Sequence, residues 1–150
     1  MSHVVHLARR FVTSLSPRPP SDAGEAWARS QLLAGEVELW DRLSNPDRRH
    51  AIEVARRFTA DHSAPDRAEL AGVLLHDVGK LASGYGTFGR VWATLAGPRS
   101  PRLRRYHDHE EIGAAMASNA GSDAVTVAII ARSADVPQDL LAALAAADDI

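Results

Sequence analysis

Leu74-Leu75-His76-Asp77-Val78-Gly79-Lys80 is the stretch on which the reading of this chain turns. An apolar segment runs directly into an imidazole, a carboxylate, a glycine and an ammonium group. Burying a carboxylate is costly unless something positive meets it. Histidine beside aspartate at the end of a buried segment therefore points to a metal ion, and the lysine points to an anion nearby. Upstream, Pro65-Asp66 opens the helix that leads into this string, and residues 70–75 are apolar on nearly all sides, as in a central helix. Gly79 and the cluster Gly84, Gly86 and Gly89 are expected to end it.

Outward from this segment the helical period recurs, with no strand alternation and no internal repeat. Helices are expected over 3–15, 23–33 and 36–43, the first stopped by the proline-rich residues 17–20. Ser44-Asn45-Pro46-Asp47 carries N-cap chemistry for a helix reaching about residue 60, in which Ala51, Val54, Ala55 and Phe58 share one face. A short helix at 90–96 and a loop at 97–101 follow. Helices over 108–119, 122–132 and from 137 onward complete an all-α chain. The expected organisation is a single compact helical bundle over 44–150, preceded by a short N-terminal helical extension over 1–43. Segments 84–89 and 99–105 are the expected mobile lips of any pocket.

The composition narrows the function. A chain of 150 residues with 45% hydrophobic and 24% charged residues is one ordinary globular domain with a real core. A net charge of −2 gives no global electrostatic case for nucleic acid or an acidic membrane. Cysteine is absent, so a metal must use nitrogen and oxygen ligands. No apolar run approaches the roughly 20 residues that span a bilayer. Arg9-Arg10 is not followed by the apolar stretch of a twin-arginine export signal, so the cytoplasm is the expected location.

Ligand-type residues stand on four of the expected helices. His50 borders the face of Ala51 and Val54, and His76 and Asp77 end the central helix. His109 precedes Ile112, Gly113 and Met116 at helical spacing. Asp148 follows Leu141, Leu144 and Ala145 at seven, four and three residues, which turns it inward and Asp149 away. Each has a plainer reading: a hydrogen-bonded core histidine, a capping pair, or a charge at a frayed helix end. Their joint occurrence on inward positions favours a metal site. The donor types suit Mn, Fe, Mg, Co or Zn without choosing among them.

His50, then His76-Asp77, then Asp148 in Ala147-Asp148-Asp149-Ile150 resembles the HD-domain metal-dependent phosphohydrolase superfamily. The His109-x-x-x-Gly113-Ala114 string adds to the resemblance, which covers about residues 44–150. It implies an HD-domain helical bundle in which His50, His76, Asp77 and Asp148 bind one divalent ion. Asp77 would bridge to a second ion where one exists, and His109 would sit beside that position or at the leaving group. Lys80 would neutralise a substrate phosphate. Two-metal members carry a further histidine, often a pair, on the next helix, where this chain reads Ile129-Ile130-Ala131-Arg132-Ser133. Arg132 is either a guanidinium set for phosphate or a solvated arginine at a helix end, and His107 is a substitute ligand only if the helix begins between it and His109. Guanosine tetraphosphate hydrolases and cyclic-di-GMP phosphodiesterases are set aside, because Val78-Gly79-Lys80-Leu81-Ala82 and Gly84-Tyr85-Gly86 lack their signatures.

The resemblance implies hydrolysis of a phosphomonoester or phosphodiester, with a nucleotide as the expected substrate, through a metal-activated water. Asp77 would orient that water, Lys80 and Arg132 would bind the phosphate, and His109 would protonate the departing oxygen. Arg99, Arg102, Arg104 and Arg105 either guide an anionic substrate or form a solvated surface. Trp27, Trp40 and Trp92 read as packing residues. No membrane or specific nucleic-acid partner is expected, and a homodimer is allowed. The competing class is a non-catalytic HD-domain nucleotide sensor, favoured by the missing histidine. A third reading is a structural helical protein with a vestigial site.

Overall fold

The computed structural model describes residues 16–83 and 108–149. The helices expected at 3–15 and 90–96, the glycine cluster, the arginines at 99–105, Trp92 and His107 lie outside them. Among the described residues the chain is all-helical, with no strand: α1 (Asp22–Ser30), α2 (Ala34–Arg42), α3 (Asn45–Asp61), α4 (Arg67–Leu74), a 3-10 helix (Val78–Ser83), α5 (His109–Asn119), α6 (Ala124–Ile130) and α7 (Gln138–Asp148). No helix among them is long and apolar enough to cross a membrane.

The helix starts follow local chemistry. The Ser21 hydroxyl accepts from the Gly24 amide at 3.1 Å, and Ser44 accepts from the Asp47 amide at 3.3 Å. Asp66 and Glu69 form a reciprocal box at the start of α4, each carboxylate accepting from the other's amide at 2.9 Å. Helix α4 is central, packed against α3 and α6, while α5 packs on the 3-10 helix and α6, and α7 packs on α3. Trp40, Phe58, Leu74, Leu75, Ile129, Ile130 and Leu144 fill the core. Gly72 lets α4 and α6 approach closely, because a Cβ there would stand 2.9 Å from the Ile129 Cβ.

The helices preceding residue 44 share this core through Ala28, Leu39, Trp40 and Leu43. Glu36 is fully buried; its Oε2 accepts from the Leu33 amide at 2.7 Å and from Arg67 Nη1 at 3.3 Å. Arg67 also reaches the Gln31 carbonyl and Asp123, so one guanidinium ties α2, α4 and the start of α6 together.

The helix expected over 23–33 ends at Ser30 and that expected from 122 starts at Ala124; three further boundaries differ through packing or local hydrogen bonds. Helix α2 takes Gly35 into its first turn because Glu36 accepts from the Leu33 amide at 2.7 Å and starts the helix at Ala34; the position needs glycine, since a Cβ there would meet the Ala120 carbonyl at 2.0 Å. Helix α6 stops at Ile130, closed by a Ser133 amide to Ala128 carbonyl bond of 2.9 Å around left-handed Arg132 (φ 50°). Helix α4 ends at Leu74, so His76 and Asp77 lie in the turn that tightens into the 3-10 helix. The Val78 amide bonds the Leu75 carbonyl at 2.9 Å, and the Lys80 amide bonds the Asp77 carbonyl at 3.0 Å. On α7 the buried stripe is Leu140, Leu144 and Ala147, with Ala145 exposed, so Asp148 borders the core and is half-buried.

Candidate metal centre

Two helix-bound groups and one turn residue converge where α3, the turn after α4 and the end of α7 meet. His50 projects from the second turn of α3, His76 from the turn after α4, and Asp148 from the last turn of α7. One donor atom from each lies within 4.8 Å of the other two. His50 Nε2 is 2.9 Å from Asp148 Oδ1, and His76 Nε2 is 3.6 Å from that same oxygen. The two imidazole rings stand 6.1 Å apart, tilted at 58°.

His76 decides what this arrangement is for. The residue is 3% exposed, and its Nδ1 lies 2.7 Å from the Val73 carbonyl. A carbonyl oxygen only accepts, so Nδ1 carries the hydrogen. In the neutral ring Nε2 then presents a lone pair towards Asp148 Oδ1 at 3.6 Å and Asp77 Oδ2 at 3.5 Å. It has no hydrogen-bond partner among the described residues. A lone pair facing two carboxylate oxygens is unfavourable unless a cation, either a proton or a metal ion, stands between them. The bond from Nδ1 to a backbone carbonyl is also the kind of support that fixes the tautomer of a ligating histidine.

The charges of the cluster agree. Burial works against a charged His76, but the carboxylates of Asp77 and Asp148 outweigh it and hold its pKa above the usual histidine value. Burial likewise opposes charge on Asp148, yet its hydrogen bond to His50 and the nearby imidazole of His76 keep it well below the usual carboxylate range. Asp77 is also depressed despite burial, through the positive charges of His76 and Lys80. Both carboxylates are thus anions across the physiological range, and the donor set of two imidazole nitrogens and a carboxylate fits a divalent ion of the borderline type.

Asp77 lies outside the mutually close trio. Its Oδ2 pairs with Lys80 Nζ at 2.6 Å, and its Oδ1 is 3.6 Å from His109 Nε2. Because His76 and Asp77 sit in a turn, both side chains approach one locus; in a continuous helix they would diverge by about 100°. His109, the first residue of α5, reaches Asp77 because the 3-10 helix and α5 touch backbone to backbone at Gly79 and Gly113. A Cβ on Gly79 would fall 1.8 Å from the His109 carbonyl oxygen. Lys80 and His109 therefore gather at Asp77, beside the trio.

Arg132 meets Glu110 at 2.8 Å, one residue beyond His109. The residues before α5 that carry the arginine cluster lie outside the described region. Two contributors escape the sequence reading: Glu110, and Arg57, whose Nη1 donates to the Ala147 carbonyl at 3.1 Å. The signal for Arg57 is its spacing of seven from His50, which places both on one face of α3.

Comparison with family models, with curated proteins and with solved structures finds no match for this chain.

Proposed function

We propose that the chain is a metal-dependent phosphohydrolase of the HD-domain type, acting on a phosphomonoester or phosphodiester, most simply of a nucleotide. The observation that carries this reading is the buried Nε2 of His76, aimed at two carboxylates with Nδ1 already committed to a backbone carbonyl. His50, His76 and Asp148 would hold a divalent ion, with Asp77 at its edge. Such an ion, when bound, supplies a Lewis acid and an activated water. Asp77 orients the attacking water, since its oxygens face both His76 and His109. His109 holds the proton for the departing oxygen, and Asp77 keeps its ring in place. Lys80, paired with Asp77 at 2.6 Å, would offer its ammonium to an incoming phosphate, and Arg132, held by Glu110, would offer a guanidinium.

A non-catalytic nucleotide sensor is the second reading. It is favoured by the missing further histidine, since the place of that ligand reads Ala131-Arg132 and Arg132 pairs with Glu110. A hydrolysis screen of phosphate monoesters and of cyclic and linear diesters with manganese, on wild type and Asp77→Ala, separates the two. Turnover that disappears in Asp77→Ala supports the hydrolase. Metal binding without turnover of any compound assigns the sensor.

A further inference from the structure

Asp148 stands in the final turn of α7, where the last carbonyls of a helix lack internal donors and the turn tends to fray. A ligand there holds its geometry only if something outside the helix anchors that turn. Two side chains of α3 do so. His50 reaches the Asp148 carboxylate at 2.9 Å, and Arg57 donates from Nη1 to the Ala147 carbonyl at 3.1 Å. The two are seven residues apart, two turns along one face of α3, and they grip consecutive residues of α7.

Their roles differ. His50 touches the carboxylate and belongs to the ligand trio. Arg57 donates to a backbone carbonyl of this turn, that of Ala147, and its positive charge also complements the negative end of the α7 dipole. On its own helix Arg57 is braced by Glu53, 3.4 Å from Nη2, so the guanidinium reaches α7 as a supported fork. Its side chain is neither buried among the core residues nor within the trio.

From this geometry we infer that Arg57 is a positioning residue: it fixes the terminal turn of α7 so that the Asp148 carboxylate meets His50 and His76. The inference rests on the reading of the trio as a metal centre, and it adds that the site is built by a side chain that never touches the ion. Arg57→Gln keeps a polar amide but is shorter and loses the charge and the fork that reaches the Ala147 carbonyl. Arg57→Lys keeps the charge and one donor.

The test is carried out on the full chain, with manganese as the probe. Manganese affinity is measured by calorimetric titration for wild type, Arg57→Gln and Arg57→Lys, and hydrogen exchange is followed in metal-free protein over all helices. For Arg57→Gln the expected result is an affinity loss of about tenfold, the lower end for groups that support a ligand. Faster exchange should be confined to α7, and Arg57→Lys should recover part of both. Wild-type exchange in α7 of Arg57→Gln overturns the positioning role, as does loosened α7 with unaltered affinity. Wild-type protein that takes up no manganese overturns the metal reading instead, and the exchange comparison then decides Arg57 alone.

Discussion

His50 Nε2 and Asp148 Oδ1 lie 2.9 Å apart although 98 positions separate the two residues in the chain. That contact closes α7 onto α3 and makes the last turn of the described chain part of the site. Removing the carboxylate should therefore affect metal binding and local order together. For Asp148→Ala, saturating manganese is expected to give no thermal shift. Wild type at a hundred times the dissociation constant should gain about 2.7 kcal/mol. Thermal melts with and without manganese check this, and an equal shift in both proteins contradicts it.

The pH dependence of the metal-free protein has a definite sign. His76 is raised above its unfolded value, so its contribution is complete below about pH 6.5 and is lost as pH rises through the folded value. Asp77 and Asp148 are depressed, so theirs is present above about pH 3.9 and is lost as pH falls through their folded values. Metal-free stability should thus peak between these limits and decline towards alkaline pH. Manganese competes with the His76 proton, so its affinity should rise over the same range. Urea unfolding from pH 4 to 8.5, with and without manganese, gives both curves; metal-free stability that climbs steadily to pH 8.5 runs against the assignment.

Gly79→Ala should be far more damaging than its size implies. The new Cβ would stand 1.8 Å from the His109 carbonyl oxygen and 2.7 Å from the Gly113 amide nitrogen, and both are backbone atoms. Helix α5 must shift, taking His109 away from Asp77, at a cost of about 1–3 kcal/mol. Gly121→Ala meets nothing within 4 Å and suffers only the strain of its φ of 87°. Urea midpoints of the two variants compare these effects. If hydrolysis is found, only Gly79→Ala should reduce kcat.

Arg67→Ala tests what fastens the N-terminal helices. It leaves the Glu36 carboxylate fully buried without its cation, which costs about 3 kcal/mol for a buried pair broken on one side. Arg29→Ala removes a more exposed pair with Glu25 and Asp41 and should cost no more than about 1 kcal/mol. Denaturant unfolding of both variants reads the difference, and equal losses would remove Glu36 from its anchoring role.

Much of the architecture is legible before folding, because the 3.6-residue period and the caps at Ser44 and Asp66 are local signals. His50, His76 and Asp148 are legible as candidates for the same reason: each interrupts or borders an apolar face. The end of α4 is not, because Gly79 meets the α5 backbone only in the folded chain, while the helix itself yields four residues before His76-Asp77-Val78 is complete in sequence pattern. The pairing of Asp77 with Lys80, three residues on, depends on that 3-10 turn. For Arg57 the spacing of seven from His50 gives only the face of α3 it shares, not its contact. Its partner is a backbone carbonyl 90 positions away, and backbone carbonyls leave no mark in a sequence.

Metal content after exhaustive dialysis against trace divalent ions, for wild type and His76→Ala, goes straight to the trio. One equivalent of a divalent ion in wild type and none in His76→Ala is the expected result. Wild type without metal, or His76→Ala retaining the same equivalent, would show that the buried Nε2 of His76 faces its two carboxylates for a proton alone.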